Sequence, residues 1–220
     1  MNQVFKNQSA NPVQEAMSAG SKSFQPPAFQ LKAQQGGVIQ KHGARNDEMA
    51  WAVLNPLSAY RIKKAADRAF ALADASGLEG ARDGRKDAFR HCIWNALATQ
   101  SAGATATRDF TTLHEQGTNP ASYANSPDYD PIAIQMDLHN NRVGRQIGYS
   151  NSSATEEQIV ALVNQAIANG DLRMIKRDNR GNYLDANGDL TTDRTKFVLV
   201  PTNHPTQRAG DPVYLNRYVY

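Results

Sequence analysis

Apolar residues recur at helical intervals from about residue 46 to residue 170 and then change rhythm. Glu48 to Leu54 reads as a short helix ended by Asn55-Pro56, and Ser58 to Ala75 as a longer one. In the second, Tyr60, Ile62, Ala66, Ala69, Phe70 and Ala73 make an apolar face, while Arg61, Lys63, Lys64, Asp67 and Arg68 stay solvated. Gly77, Gly80 and Gly84 mark a loop. Beyond it the spacing predicts helices from Arg85 to about Ser101, from Ala104 to Gln116 with Gly117 as C-cap, and from Ile132 to Ile147 closed by Gly148. The intervening residues 118 to 131, rich in Pro, Asn and Tyr, form a loop long enough to shape a pocket. Ser153-Ala-Thr155-Glu-Glu157-Gln158 offers capping-box chemistry to a last helix carrying Ile159, Leu162, Val163 and Ile167 up to Asn169-Gly170.

After Gly170 the apolar residues fall in short runs. Leu172 to Lys176, Tyr183-Leu184, Lys196 to Val200 and Tyr214 to Tyr220 are separated by Asn-Arg-Gly and Asn-Gly-Asp turns, which predicts a small antiparallel sheet. Residues 1 to 45 are rich in Gln, Ser, Ala, Gly and Pro, with too few apolar residues for a core. The expected fold is therefore mainly α: a compact multi-helix domain over 46–170, a small β-rich C-terminal subdomain over 171–220 packed on it, and a disordered N-terminal arm over 1–45.

Composition narrows the function classes. The 220 residues carry a net charge of +3 and a pI near 9.0, which would suggest a nucleic-acid surface. The excess sits in the arm, where Lys6, Lys22, Lys32, Lys41 and Arg45 face Glu15 alone, so the remainder is close to neutral. Basic composition is thus a weak argument for nucleic acid. The single cysteine, Cys92, excludes a disulfide framework and a Cys-based zinc knuckle, and it fits folding in a reducing cytoplasm. No apolar run approaches the roughly 20 residues a membrane helix requires. Met1 to Lys6 is not followed by the apolar core of a Sec signal.

The residues able to do acid/base, metal or phosphate chemistry concentrate on three of the predicted helices. At about 100° per residue, Asp87, His91, Trp94 and Ala98 share one face of the first, opposite Phe89, Ile93, Ala96 and Leu97. Asp87 and His91 stand at i and i+4, the spacing at which a carboxylate fixes a histidine tautomer or both ligate one metal. His114-Glu115 ends the second helix and can serve one centre only at that end. On the third, Ile132, Met136, His139, Val143 and Ile147 form an apolar stripe. Asp137, Asn141, Gly144 and Arg145 lie on the other side, so His139 is expected to be packed rather than ligating. Arg145 suits a phosphate or carboxylate. Cys92 is expected to be a buried structural thiol, and Asp185-x-Asn187-x-Asp189 a turn, because Leu190 stands where a calcium loop needs glycine.

Two resemblances add to this. Phe24-Gln-Pro-Pro-Ala-Phe29-Gln-Leu-Lys-Ala, in a Gln-rich start, resembles the leader of proteins carried by bacterial extracellular contractile injection systems. It implies a cargo loaded through the arm into the tube lumen of such a particle, made in the bacterial cytoplasm and exported without a Sec signal. The ordered set Asp87-Ala-Phe-Arg90-His91-x-x-Trp94-Asn95, His114-Glu115 and Asp137-Leu-His-Asn140-Asn141-x-x-Gly-Arg145 resembles an uncharacterised helical domain of secreted and polymorphic-toxin-like proteins, over roughly Asn55 to Gly148. It implies a toxin-type domain with those residues as signature positions.

The leading expectation is a toxin that is a metal-assisted hydrolase of a phosphodiester, in nucleic acid or phospholipid. Asp87, His91, His114 and Asp137 would hold zinc or another divalent ion. Glu115 would be the general base, Asn141 and Arg145 would stabilise developing charge, and Arg90, Trp94, Asn95 and Asn140 would line the substrate pocket. One alternative is a metal-free peptidoglycan glycosidase using Glu115 and Asp137. The other is a non-enzymatic payload or plug of the particle, with the polar set as a buried network.

Overall fold

A computed structural model describes residues 46–117, 119, 124 and 129–205. The arm over 1–45 and the strand expected over Tyr214 to Tyr220 lie outside the described residues. Six helices are described: α1 (Asn46–Leu54), α2 (Pro56–Ala75), α3 (Arg85–Ala102), α4 (Ala104–Gln116), α5 (Pro131–Ser150) and α6 (Glu156–Asn169). They are followed by a two-stranded antiparallel sheet, β1 (Arg173–Ile175) and β2 (Leu199–Pro201). The fold is mainly α with a small β appendage.

Local chemistry sets most of the boundaries. Pro56 opens α2, where its missing N–H costs nothing. Asp130 caps α5 by accepting from the N–H of Ile132 and Ala133. The capping box expected before α6 forms between Thr155 and Gln158, and Gly170 ends that helix in the left-handed conformation. Gly117 ends α4, donating to the carbonyl of Leu113. Gly148 does not close its helix as expected. It lies inside α5, where a side chain would collide with the carbonyl of Ala96 on α3, and the helix runs on to Ser150.

α3 sits at the centre and is touched by α2, α4, α5, α6 and β1. Its burial is nearly continuous from Asp87 to Thr99, polar residues included. The expected division of α3 into a packing face and a presented face is thereby corrected, because a helix with neighbours on every side has no solvent face to present. On α2 the narrow buried stripe is Ala59, Ile62, Ala65, Ala69 and Ala73. Tyr60 and Phe70, expected on that face, flank it and remain exposed. The small stripe residues let α2 approach α3 closely and leave the bulky rings outside.

The C-terminal segment packs on this bundle. β1 pairs with β2 in the register Arg173 to Pro201, Met174 to Val200 and Ile175 to Leu199. Met136 of α5, Ile175 and Phe197 make a second small core, with Tyr183 stacked on Phe197 at 4.2 Å. Tyr183-Leu184 contributes isolated bridges to Arg177 and Leu190 rather than a full strand. Lys196 belongs to a short 3-10 turn, so the strand expected over Lys196 to Val200 starts later, at Leu199. Asp185 accepts from the N–H of Asn187 and Asp189, a turn as expected.

Candidate functional site

α3 and α5 run parallel, since Asp87, Cys92 and Ala96 meet Asp137, Gly144 and Gly148 in ascending order. At the amino-terminal end of this contact, Asp87, His91 and Asp137 each offer a ligand atom within 4.8 Å of the others. Nε2 of His91 lies 3.5 Å from Oδ1 of Asp87 and 3.3 Å from Oδ1 of Asp137. Oδ1 of Asp137 is buried and accepts no hydrogen bond among the described residues. An orphaned buried carboxylate oxygen is costly and marks a place where a further partner fits.

The histidine tautomer follows from its neighbours. Nη2 of Arg90 stands 3.1 Å from Nε2 of His91. A guanidinium has no acceptor, so Nε2 must carry the lone pair and Nδ1 the proton. Nδ1 faces Oδ1 of Asn141 at 3.3 Å and Oε1 of Glu115 at 3.5 Å. Burial, and then the charge of Arg90, holds the His91 pKa below its usual value, so the ring is neutral and aims a lone pair at the two aspartates.

The carboxylates differ from one another. Burial alone would raise Asp87, but the charge of Arg90, which also donates to its Oδ1, outweighs it and keeps the carboxyl below its ordinary range. The backbone N–H of Asp83 adds a bond to Oδ2 of Asp87 at 2.6 Å. Asp137 is pushed well above its ordinary value by burial and by the negative Glu115 and Asp87 nearby. The result is one ionised and one reluctant carboxyl around one imidazole.

Behind His91 lies a polar network. Asn141 donates to Oε1 of Glu115 at 3.0 Å and accepts from Asn95 at 2.6 Å. Oδ1 of Asn95 accepts in turn from Thr111 at 3.0 Å and from Arg145 at 3.1 Å. Glu115 and Asn141 thus hold the protonated side of the ring, as a carboxylate does for a metal-bound histidine.

Several expected site residues are elsewhere. His114 is not one of the converging ligand residues; its Nδ1 meets Oε1 of Glu48 at 2.9 Å, because adjacent helical residues point about 100° apart and only Glu115 turns inward. Trp94 is buried, donates to the carbonyl of Ile62 at 3.1 Å, which anchors α2 to α3, and packs edge-on to Phe110, to His114 and, with 6.4 Å between ring centroids, to His91, so it walls the group on that side. Asn95 is fully buried inside the network. Asn140 is fully buried on the other side of α5, where its amide donates to the carbonyl of Arg173 at 2.9 Å and accepts from its N–H at 2.8 Å. That pairing ties β1 to α5, away from the converging ligand atoms. Arg145 donates to Oδ1 of Asn95 and, at 3.3 Å, to the hydroxyl of Thr111, so it joins the network behind His91 rather than the converging ligand atoms. Glu115 stands on the Nδ1 side of His91, away from the converging ligand atoms, so it positions the imidazole rather than facing them. His139, expected to be packed, bonds the carbonyl of Asp171 at 2.8 Å outside the group. Cys92 is buried as expected, and burial pushes its thiol pKa up.

Asp83 is a participant the sequence did not reveal. It has a φ of +56°, uncommon for a residue with a side chain, and this turns its N–H onto Asp87. Its carboxylate accepts from the hydroxyl of Tyr183 at 2.5 Å and from Arg177 at 3.2 Å, and its carbonyl accepts from Ile175 at 2.9 Å. The only local hint was an Asp just before a glycine-opened helix. Thr111 was detectable in principle, as a polar residue at i+4 from Thr107 on the buried face of α4.

No curated protein and no solved structure matches the chain. A family model matches residues 49–171, the helical bundle with the whole Asp87, His91, Glu115, Asp137 and Asn141 constellation, and the chain belongs to that family, described as a domain of unknown function (DUF6973).

Proposed function

We propose that this chain is a toxin whose helical domain is a metal-assisted hydrolase of phosphodiesters, with Asp87, His91 and Asp137 as ligands of a divalent cation. The observation that supports it is the convergence of three ligand atoms within 4.8 Å, one of them a buried carboxylate oxygen that accepts no hydrogen bond among the described residues. One imidazole and two carboxylates are a donor set suited to zinc or manganese and leave coordination positions for water and substrate. A bound cation would lower the pKa of such a water towards 7 and supply a nucleophile.

The residues of the chain prepare this. His91 offers an unprotonated Nε2, and Glu115 with Asn141 fixes the proton on the other nitrogen. Arg90 places a positive charge beside the group, suited to a phosphate oxygen. The glycosidase alternative is less well served: the ring of His91 stands between Glu115 and Asp137, 3.5 Å from one and 3.3 Å from the other, in the gap a sugar oxygen and water would need. Delivery through a contractile injection particle by the arm, from a bacterial cytoplasm, completes the proposal.

Metal content by mass spectrometry, on protein purified without chelator, tests the reading. One equivalent in the wild type and none in Asp137→Asn is expected, together with cleavage of bis(p-nitrophenyl) phosphate by the wild type alone. A folded wild type that takes up no metal from millimolar zinc or manganese overturns it.

A further inference from the structure

Arg90 lies where the cation of the proposed site would have to go. Its Nη2 donates to Oδ1 of Asp87 and sits 3.1 Å from Nε2 of His91, two of the converging ligand atoms. The unprotonated nitrogen of an imidazole has one lone pair in the ring plane. A hydrogen bond from Arg90 and a bond to a metal therefore compete for the same electrons.

The side chain also has a way out. The guanidinium carbon of Arg90 stands 4.9 Å from the centroid of the Phe70 ring, and that ring is 41% exposed on α2. The Arg90 side chain is itself 25% exposed, whereas Asp87 and His91 beside it are buried. A short swing along the Phe70 face would carry the donors towards solvent while the charge stays near Asp137 and Glu115, both of which attract it.

We propose that Arg90 is a built-in counter-ion of the metal-free site, displaced by the cation, and that once displaced it binds an oxyanion of the substrate. This rests on the metal reading above. Cation loading then creates the anion site, so the protein binds phosphate-bearing substrate only in the loaded state.

The test is calorimetric titration of the full chain, stripped with chelator, with zinc and with manganese. Arg90→Met removes the competitor and the like charge, and its affinity for either metal is expected to rise about tenfold or more. With metal bound, inorganic phosphate should bind the wild type and bind Arg90→Met at least about tenfold more weakly. Equal or weaker metal binding by a folded Arg90→Met overturns the displacement, and equal phosphate binding overturns the oxyanion role. If the variant does not fold, arginine-selective nitrogen labelling of the wild type decides: the Arg90 guanidinium resonance must move on saturation with zinc, and an unchanged resonance sinks the inference. Metal uptake by neither protein would remove the hydrolase reading as well, whereas uptake by both without gain removes the role of Arg90 alone.

Discussion

The contact between α3 and α5 has two ends built on opposite principles. At the carboxyl-terminal end, Gly144 and Gly148 press against the carbonyls of Cys92 and Ala96 with no room for a methyl group. At the amino-terminal end, about two turns of α3 hold Asp87, His91 and Asn95 and about one turn of α5 holds Asp137 and Asn141, with Glu115 entering from α4. The first end is closed packing that fixes the distance between the helices. The second spends that fixed distance on polar groups, one oxygen of which, Oδ1 of Asp137, accepts no hydrogen bond among the described residues. A bundle that wanted only stability would have continued the glycine and alanine seam.

The closed end is the more sensitive of the two to substitution. Gly144→Ala must push α5 away from the backbone of Cys92 and from Cβ of Asn95, and we expect it to cost about 2 to 3 kcal/mol, as overpacking a tight core does. A urea titration measures it; a loss under about 0.5 kcal/mol would mean the helices are not held by that contact. Next in size is Asn140→Ala. It strands both the N–H and the carbonyl of Arg173, a loss of roughly 1 to 3 kcal/mol. The same titration, read together with proteolysis of the β1 region, would show whether the C-terminal segment loosens first.

The two ends were unequally visible in the sequence. Helical periodicity located five of the six helices within about two residues, because α2, α4 and α6 each have one apolar stripe and one solvated face. It missed the end of α5, which runs three residues past Ile147, and on α3, whose bounds it gave, it failed on the faces, because polar and apolar residues are buried there alike. On α5 the expected apolar stripe is, apart from Met136, only half-buried, and the face that packs on α3 is Asn141, Gly144 and Gly148, the side that also carries Asp137, so the packed side and the polar side coincide there. The split of His114 from Glu115 needed the position of α1, and Glu48, which meets His114, lies 66 residues away. Asp83 was out of reach for the same reason, because the groups that hold it, Arg177 and Tyr183, lie 94 and 100 residues along the chain.

At the amino-terminal end the sign reverses. Asp137→Asn removes a largely enclosed carboxyl, whose ionised form burial and the nearby Glu115 and Asp87 disfavour, without changing its shape, so stability should be unchanged or rise by up to about 1 kcal/mol while metal uptake is lost. A destabilisation above about 2 kcal/mol would show that the carboxylate supports the fold, contrary to the division drawn between the two ends.

The smallest effect belongs to the rim. Phe70 lies beside the buried stripe of α2 and touches the open end only through the guanidinium of Arg90. Truncation to alanine removes part of an exposed ring and one cation–π contact, worth about 0.5 to 1 kcal/mol at such a site. Phe70→Ala is therefore expected to shift the urea midpoint by no more than that, with the helical signal by circular dichroism unchanged. A loss as large as that of Gly144→Ala would place Phe70 in the packing of α2 on α3, and the open end would then be closed on this side too.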